Sequence, residues 1–291
     1  MEFHSTNDFK NSFYDGLFAN IFATLTGGVF LTGFALYLGM NDFMIGVLGA
    51  TPFLVTAFQL PASYFLGKYT KRKNVTFWGA AIGRFIWIPI LTVAAIPYFS
   101  AQTKTLLILG LFFFSHSCIS ISYVSWLSWI SDLVPDNIRG KFFGSRNMIC
   151  GIAGMMAVIV FGNILDHFKS HPSGGLPLGF GITFTAAVTF GMLSLYFIRR
   201  ISEPQIEMPG DAVSFGGLMY LPFREKKFQE LSDVQLCVEF LGIFRQPLFY
   251  PLFPQKFKIQ LWIRRFFKYR FGMCRFSRNA SLGANFRQSQ E

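Results

Sequence analysis

Ser63-Tyr-Phe-Leu-Gly-Lys-Tyr-Thr-Lys-Arg-Lys73 places four cations, Lys68, Lys71, Arg72 and Lys73, within six residues between two long apolar stretches. A hydrocarbon core does not solvate such a cluster, so this short loop belongs in water at one membrane face. Excess Lys and Arg in short loops marks the cytoplasmic side, and the loop therefore orients every span around it.

The rest of the composition agrees. Of 291 residues, 52% are hydrophobic and only 14% charged, the mean hydropathy is +0.41, and there are 38 phenylalanines. Soluble domains carry roughly a quarter charged residues. The net charge of +11 lies in loops beside apolar segments and in the last quarter of the chain, which speaks for a lipid bilayer as partner and against nucleic acid. Cys118, Cys150, Cys237 and Cys274 have no paired spacing and imply neither a disulfide framework nor a metal site. The polar first residues lack the pattern of a signal peptide.

A transmembrane helix needs about 20 mostly apolar residues. Six segments qualify: 14–38, 43–66, 75–98, 105–130, 142–165 and 176–198. Lys68, Lys71, Arg72, Lys73, Arg139, Lys141, Arg199 and Arg200 then fall on one side, and only Lys104 and Lys169 on the other. The expected fold is an all-α, multi-pass protein of the plasma (inner) membrane. Residues 1–13 form a cytoplasmic N-terminus, 14–200 a six-span bundle, 201–227 a cytoplasmic linker and 228–291 an irregular basic tail. Glycines throughout the spans suit close helix packing, and neighbouring helices make Pro52, Pro61, Pro89 and Pro97 tolerable.

Few residues offer chemistry inside the spans. Arg84 lies nine residues into the third, about 13 Å from its start at 1.5 Å per residue. It reads either as an anion or gating contact or as a long side chain snorkelling to headgroups. His116, in the middle of span 4, is a proton-relay candidate or a hydrogen-bonded packing residue. Asn20 and Thr24 share one face of span 1 and either line a pathway or join helices. Trp126 and Trp129 read as interfacial anchors. Asp15, at the start of span 1, and Asp166, at the end of span 5, read as solvated, and Arg146 lies near the inner end of span 5. No phosphate-binding Gly-Lys-Ser/Thr loop, metal-spaced His/Cys set or nucleophile elbow is present, so neither an enzyme nor a cofactor is expected.

In its span count and two loops the sequence resembles the N-terminal half of a major facilitator superfamily transporter, over about residues 14–227. The family's gating loop G-x-L-x-D-R-x-G-R-R/K lies over Ser63–Lys73, with Lys68 at the first basic position and Lys71, Arg72 and Lys73 at the closing cluster. Ser63 stands for the first Gly, Gly67 for the Asp and Thr70 for the second Gly. The second loop, Asp132-Leu-Val-Pro-Asp-Asn-Ile-Arg-Gly-Lys-Phe-Phe-Gly, is similar to D-x-x-P-x-x-x-R-G-x-x-x-G through Asp132, Pro135, Arg139 and Gly140. The antiporter signature is absent from span 5. The resemblance implies alternating-access transport of a small solute, with a coupling proton or sodium ion, at a site between two six-span halves. One half alone is then expected to be inactive, and a C-terminal half or a second copy completes the pathway. The alternative is a self-assembling or accessory six-span subunit.

From Phe228 onward no stretch of about 20 residues is free of charge, where the family places a seventh span. Back-translated and read one base later, the tail permits P-F-F-I-P-Y-F-L-K-N-L-K-F-S-Y-G through Trp262, and W-G-R-I-S-D over Leu282–Arg287. Glu225-Lys226-Lys227 permits an adenine run. The expectation is a frameshift there, with an out-of-frame, poorly ordered tail; otherwise the tail is a basic, membrane-adherent segment.

Overall fold

A computed structural model describes residues 6–66, 71–170 and 175–204. Gly67 and Lys68 of the basic loop, most of the linker and the whole tail, with its frameshift reading, lie outside the described residues. The described residues are helical without strands, and six helical stretches are long and apolar enough to cross a membrane: Asn7–Tyr37, Asp42–Leu66, Arg72–Ala95, Ala101–Leu133, Asp136–Lys169 and Gly175–Arg200. By that measure the chain is a helical multi-pass membrane protein.

The first three spans are interrupted, and the interruptions have chemical causes. Span 1 is α1 (Thr6–Leu25) and α2 (Gly28–Tyr37), parted where Gly28 takes φ +50. An L side chain rarely adopts that angle. Span 2 is α3 (Asp42–Val55), a 3-10 turn (Thr56–Phe58) and α4 (Gln59–Leu66). Span 3 is α5 (Arg72–Phe85) and α6 (Trp87–Ala95). Pro61 and Pro89 each remove an N–H and crowd the carbonyl four residues back, at Ala57 and Phe85, where these breaks fall. Spans 4 to 6 are the unbroken helices α7 (Ala101–Leu133), α8 (Asp136–Lys169) and α9 (Gly175–Arg200).

Several boundaries differ from the hydropathy reading. Helix α1 starts at Thr6, so residues 6–13 extend the first span. The second polar loop shrinks to Val134 and Pro135, because Pro135 caps α8 and Asp136 supplies a negative charge to its first turn. Arg139 and Gly140 thus sit on α8 instead of in a loop. Arg139 donates to the carbonyls of Ser131 (2.6 Å) and Val134 (3.3 Å) and pairs with Asp136 at 2.6 Å. Gly140 is exposed with open space at its Cα.

The basic cluster likewise becomes helix. Lys71 is the exposed N-cap of α5, and Arg72 and Lys73 begin it. Cations at a helix N-terminus oppose its dipole, and two acids offset them. Arg72 pairs with Asp132 at 2.5 Å, while the Lys73 backbone N–H donates to Glu203 at 2.8 Å. Lys73 Nζ also donates to the Ile201 carbonyl at 2.6 Å. Ser202 donates its N–H and hydroxyl to Asp8 at 2.9 and 2.5 Å, and its carbonyl accepts from Trp129 at 3.1 Å. These bonds tie the start of span 1, the start of span 3 and the ends of spans 4 and 6 into one polar seam. Trp129 is fully buried in this seam and is no interfacial anchor.

Two apolar clusters fill the bundle. One, around Trp87, Phe112, Phe184 and Phe34, lies toward the end opposite the seam; the other, around Trp129, Ile130, Phe142 and Ile198, lies next to it. Along α5, α7, α8 and α9 the stretches between these clusters carry Arg84, His116, Arg146 and Ser194. The polar layer of the protein lies there.

Candidate functional site

Burial of a charge in this layer calls for partners, and each charge has them. Asp15 is 3% exposed; its carboxylate accepts from Ser194 Oγ at 2.5 Å and meets Arg146 Nη2 at 3.4 Å. Arg146 also donates through Nε to the Ser12 carbonyl (3.2 Å), and its guanidinium lies over the Trp126 ring at 4.1 Å. Arg84, 6% exposed, donates to the Gly191 carbonyl and to Ser194 Oγ, both at 3.0 Å, with Phe22 beneath its guanidinium at 5.8 Å. Ser194 thus links Arg84 to Asp15. Four helices, α1, α5, α8 and α9, contribute to one hydrogen-bonded ionic cluster.

Glycine makes the cluster possible. A Cβ at Gly16 would come 2.5 Å from Arg146 Cζ, and one at Gly191 would come 3.0 Å from Arg84 Cδ. Each guanidinium stem lies on a helix surface stripped of its side chain.

Beside the cluster is a cavity of about 360 Å³, lined among others by Asp15, Asn20, Arg84, His116, Trp126 and Arg146. Three residues singled out from the sequence, Asn20, Arg84 and His116, are therefore brought together. Arg84 is midway along its span and turns toward α9 instead of snorkelling. The His116 ring lies tilted by 40° against Phe112 (centroids 4.0 Å) and is hydrogen-bonded to the Phe112 carbonyl at 3.2 Å. Asn20 donates to the Cys150 carbonyl at 2.6 Å. Thr24 lies over Gly154, where a Cβ would sit 3.0 Å from its hydroxyl. Asn20 and Thr24 thus also hold α1 against α8. Lys71, Arg72, Lys73, Asp132, Pro135, Arg139 and Gly140 lie away from the cavity, at the seam end.

Two expectations change. Asp15 is not solvated, since helix α1 begins eight residues before the expected span and carries it well inside. Trp126 is 8% exposed and serves as a platform for Arg146, not as a headgroup anchor. The cavity opens beside Tyr123, which is 53% exposed, and Asn147, also exposed. Apolar-span reasoning finds neither, because single polar residues within long hydrophobic runs carry no pairing information.

In class, then, this is a helical membrane protein with an ionic cluster and a small cavity inside its bundle. Compared with known proteins, the chain matches no family model, no curated protein and no solved structure.

Proposed function

We propose that the chain supplies one wall of a solute pathway across a membrane, in the manner of one half of a major facilitator-type secondary transporter. The observation that carries this reading is the cavity beside Asp15, Arg84 and Arg146, walled by spans that are apolar on average. Ionisable groups inside membrane spans are expensive and usually face a partner or a water-filled route. Here the polar mouth at Tyr123 and Asn147 lies on the side of the bundle, where lipid is a poor neighbour. A second six-span body, either a further half or another copy of this chain, covers it and completes the pathway. The basic seam faces the cytoplasm in this reading, which the excess of Lys and Arg at that end supports. Alone, the chain does not transport. Its movement of a small solute, with or without a coupling proton or sodium ion, belongs to the completed pair.

A photoreactive benzoylphenylalanine in place of Tyr123 tests this in intact membranes. The expected product is a cross-link to a six-span partner, at about twice the 33.0 kDa mass of the chain if that partner is a second copy. Adducts with lipid alone would refute the pathway reading.

A further inference from the structure

The charges facing the cavity do not balance. Arg84 on α5 and Arg146 on α8 face one carboxylate, Asp15 on α1; α7 adds the imidazole of His116, and α9 lines the cavity only with Ile198, while its Ser194 hydroxyl bridges Arg84 and Asp15. The carboxylate is unevenly shared. Its contact with Arg146, at 3.4 Å, is well beyond the roughly 2.7–2.9 Å of a strong charge-assisted bond. An oxygen from elsewhere could take that position. Two residues lining the cavity carry a polar atom without a partner: among the described residues, Thr76 Oγ1 and Trp126 Nε1 are buried without a hydrogen bond. Both residues are more than nine-tenths buried, and neither atom is open to the cavity, so an acceptor satisfies them only when the lining side chains shift.

We propose that the cavity binds a small organic monoanion, a carboxylate on a flat apolar body. The inference rests on the pathway reading and names its substrate class. The ligand carboxylate takes Arg146 in place of Asp15, leaving Asp15 on Ser194. One negative charge offsets the one surplus guanidinium; a cation would add to the surplus, and a neutral solute would leave it unanswered. A volume of about 360 Å³ suits a small molecule. The half-exposed Tyr123 ring, with Ile119 and Ala23, offers apolar surface for its body, which inorganic phosphate would leave uncovered.

The test uses the full 291-residue chain in phosphatidylcholine nanodiscs with radiolabelled benzoate as probe. Saturable binding is expected that unlabelled benzoate competes away and that benzamide, benzamidine and phosphate do not. Trp126→Phe, which keeps a ring and deletes the N–H, should weaken binding several-fold. Asp15→Asn removes the competing carboxylate and should tighten it several-fold, a direction that a purely structural role for Asp15 does not produce. Paired neutralisation, Asp15→Asn with Arg146→Gln, should weaken binding at least tenfold. Absence of saturable benzoate binding to the folded native chain would overturn the proposal, as would benzamidine competing better than benzoate or the paired variant binding as well as the native chain. Should Tyr123 capture a six-span partner while benzoate fails to bind, only the anion is lost. Capture of lipid alone removes the pathway itself, whatever benzoate does.

Discussion

Gly16 and Gly191 decide where two arginines rest. Gly16→Ala would drive a methyl into the Arg146 guanidinium, 2.5 Å from Cζ, and overpacking of this kind costs about 1–3 kcal/mol. Thermal unfolding in detergent should register that loss, and an unchanged midpoint would mean that Arg146 lies elsewhere. Arg146→Gln alone leaves Asp15 with Ser194 and, through it, Arg84, so the loss should fall below the cost of breaking a buried pair from one side, about 3–5 kcal/mol. Adding Asp15→Asn then leaves the buried Arg84 without a counter-charge and should lower the same melt further. The sequence makes Arg84 visible, because an arginine midway along an apolar run stands out. It hides Asp15, because hydropathy places the start of span 1 at Tyr14, whereas the helix extends back to Thr6 through polar residues that the seam stabilises. Trp126 and Trp129 mislead for a related reason. They sit near a span end, but helices crossing there bury them, and Trp129 finds its acceptor on Ser202.

The pairing of α5 with α7 is, with that of α1 and α9, the most extensive helix contact among the described residues. Ser115, Ser122 and Ser125 donate across to the carbonyls of Gly83, Thr76 and Arg72 at 2.6, 2.7 and 2.8 Å, an antiparallel ladder along the contact. Gly79 and Gly83, four residues apart, let α7 approach closely: a Cβ on Gly83 would lie 2.5 Å from Ile119 Cγ1 and 2.9 Å from the Ser115 carbonyl. Gly83→Ala should therefore destabilise the bundle more than Ser122→Ala, whose interhelical bond contributes about 0.6 kcal/mol by membrane-protein precedent. Unfolding of both variants in one detergent checks the order, and the reverse order would contradict the packing described. Hydropathy locates all six spans because chain length and apolarity fix them. Prolines mark two of the breaks. The ladder is not legible beforehand, since serines at 115, 122 and 125 become a seam only when the register with α5 is known.

At the scale of the molecule, basic residues gather at one end of the bundle: Lys71, Arg72, Lys73, Arg139, Lys141, Arg199 and Arg200, with Lys104 and Lys169 at the other. In sealed cells, a cysteine at Ser170 should react with an impermeant reagent from outside and one at Lys71 should not; the opposite pattern would invert the orientation. The central claim is that the cavity belongs to an aqueous route. It is tested most directly with Asn147→Cys in a chain whose four native cysteines are serine, labelled in sealed, oriented vesicles by a water-soluble, impermeant maleimide. Modification from the aqueous phase, slowed when benzoate is present, is the expected result. Modification only by a lipid-soluble reagent, or only after detergent opens the bundle, would contradict it and leave the ionic cluster as internal packing.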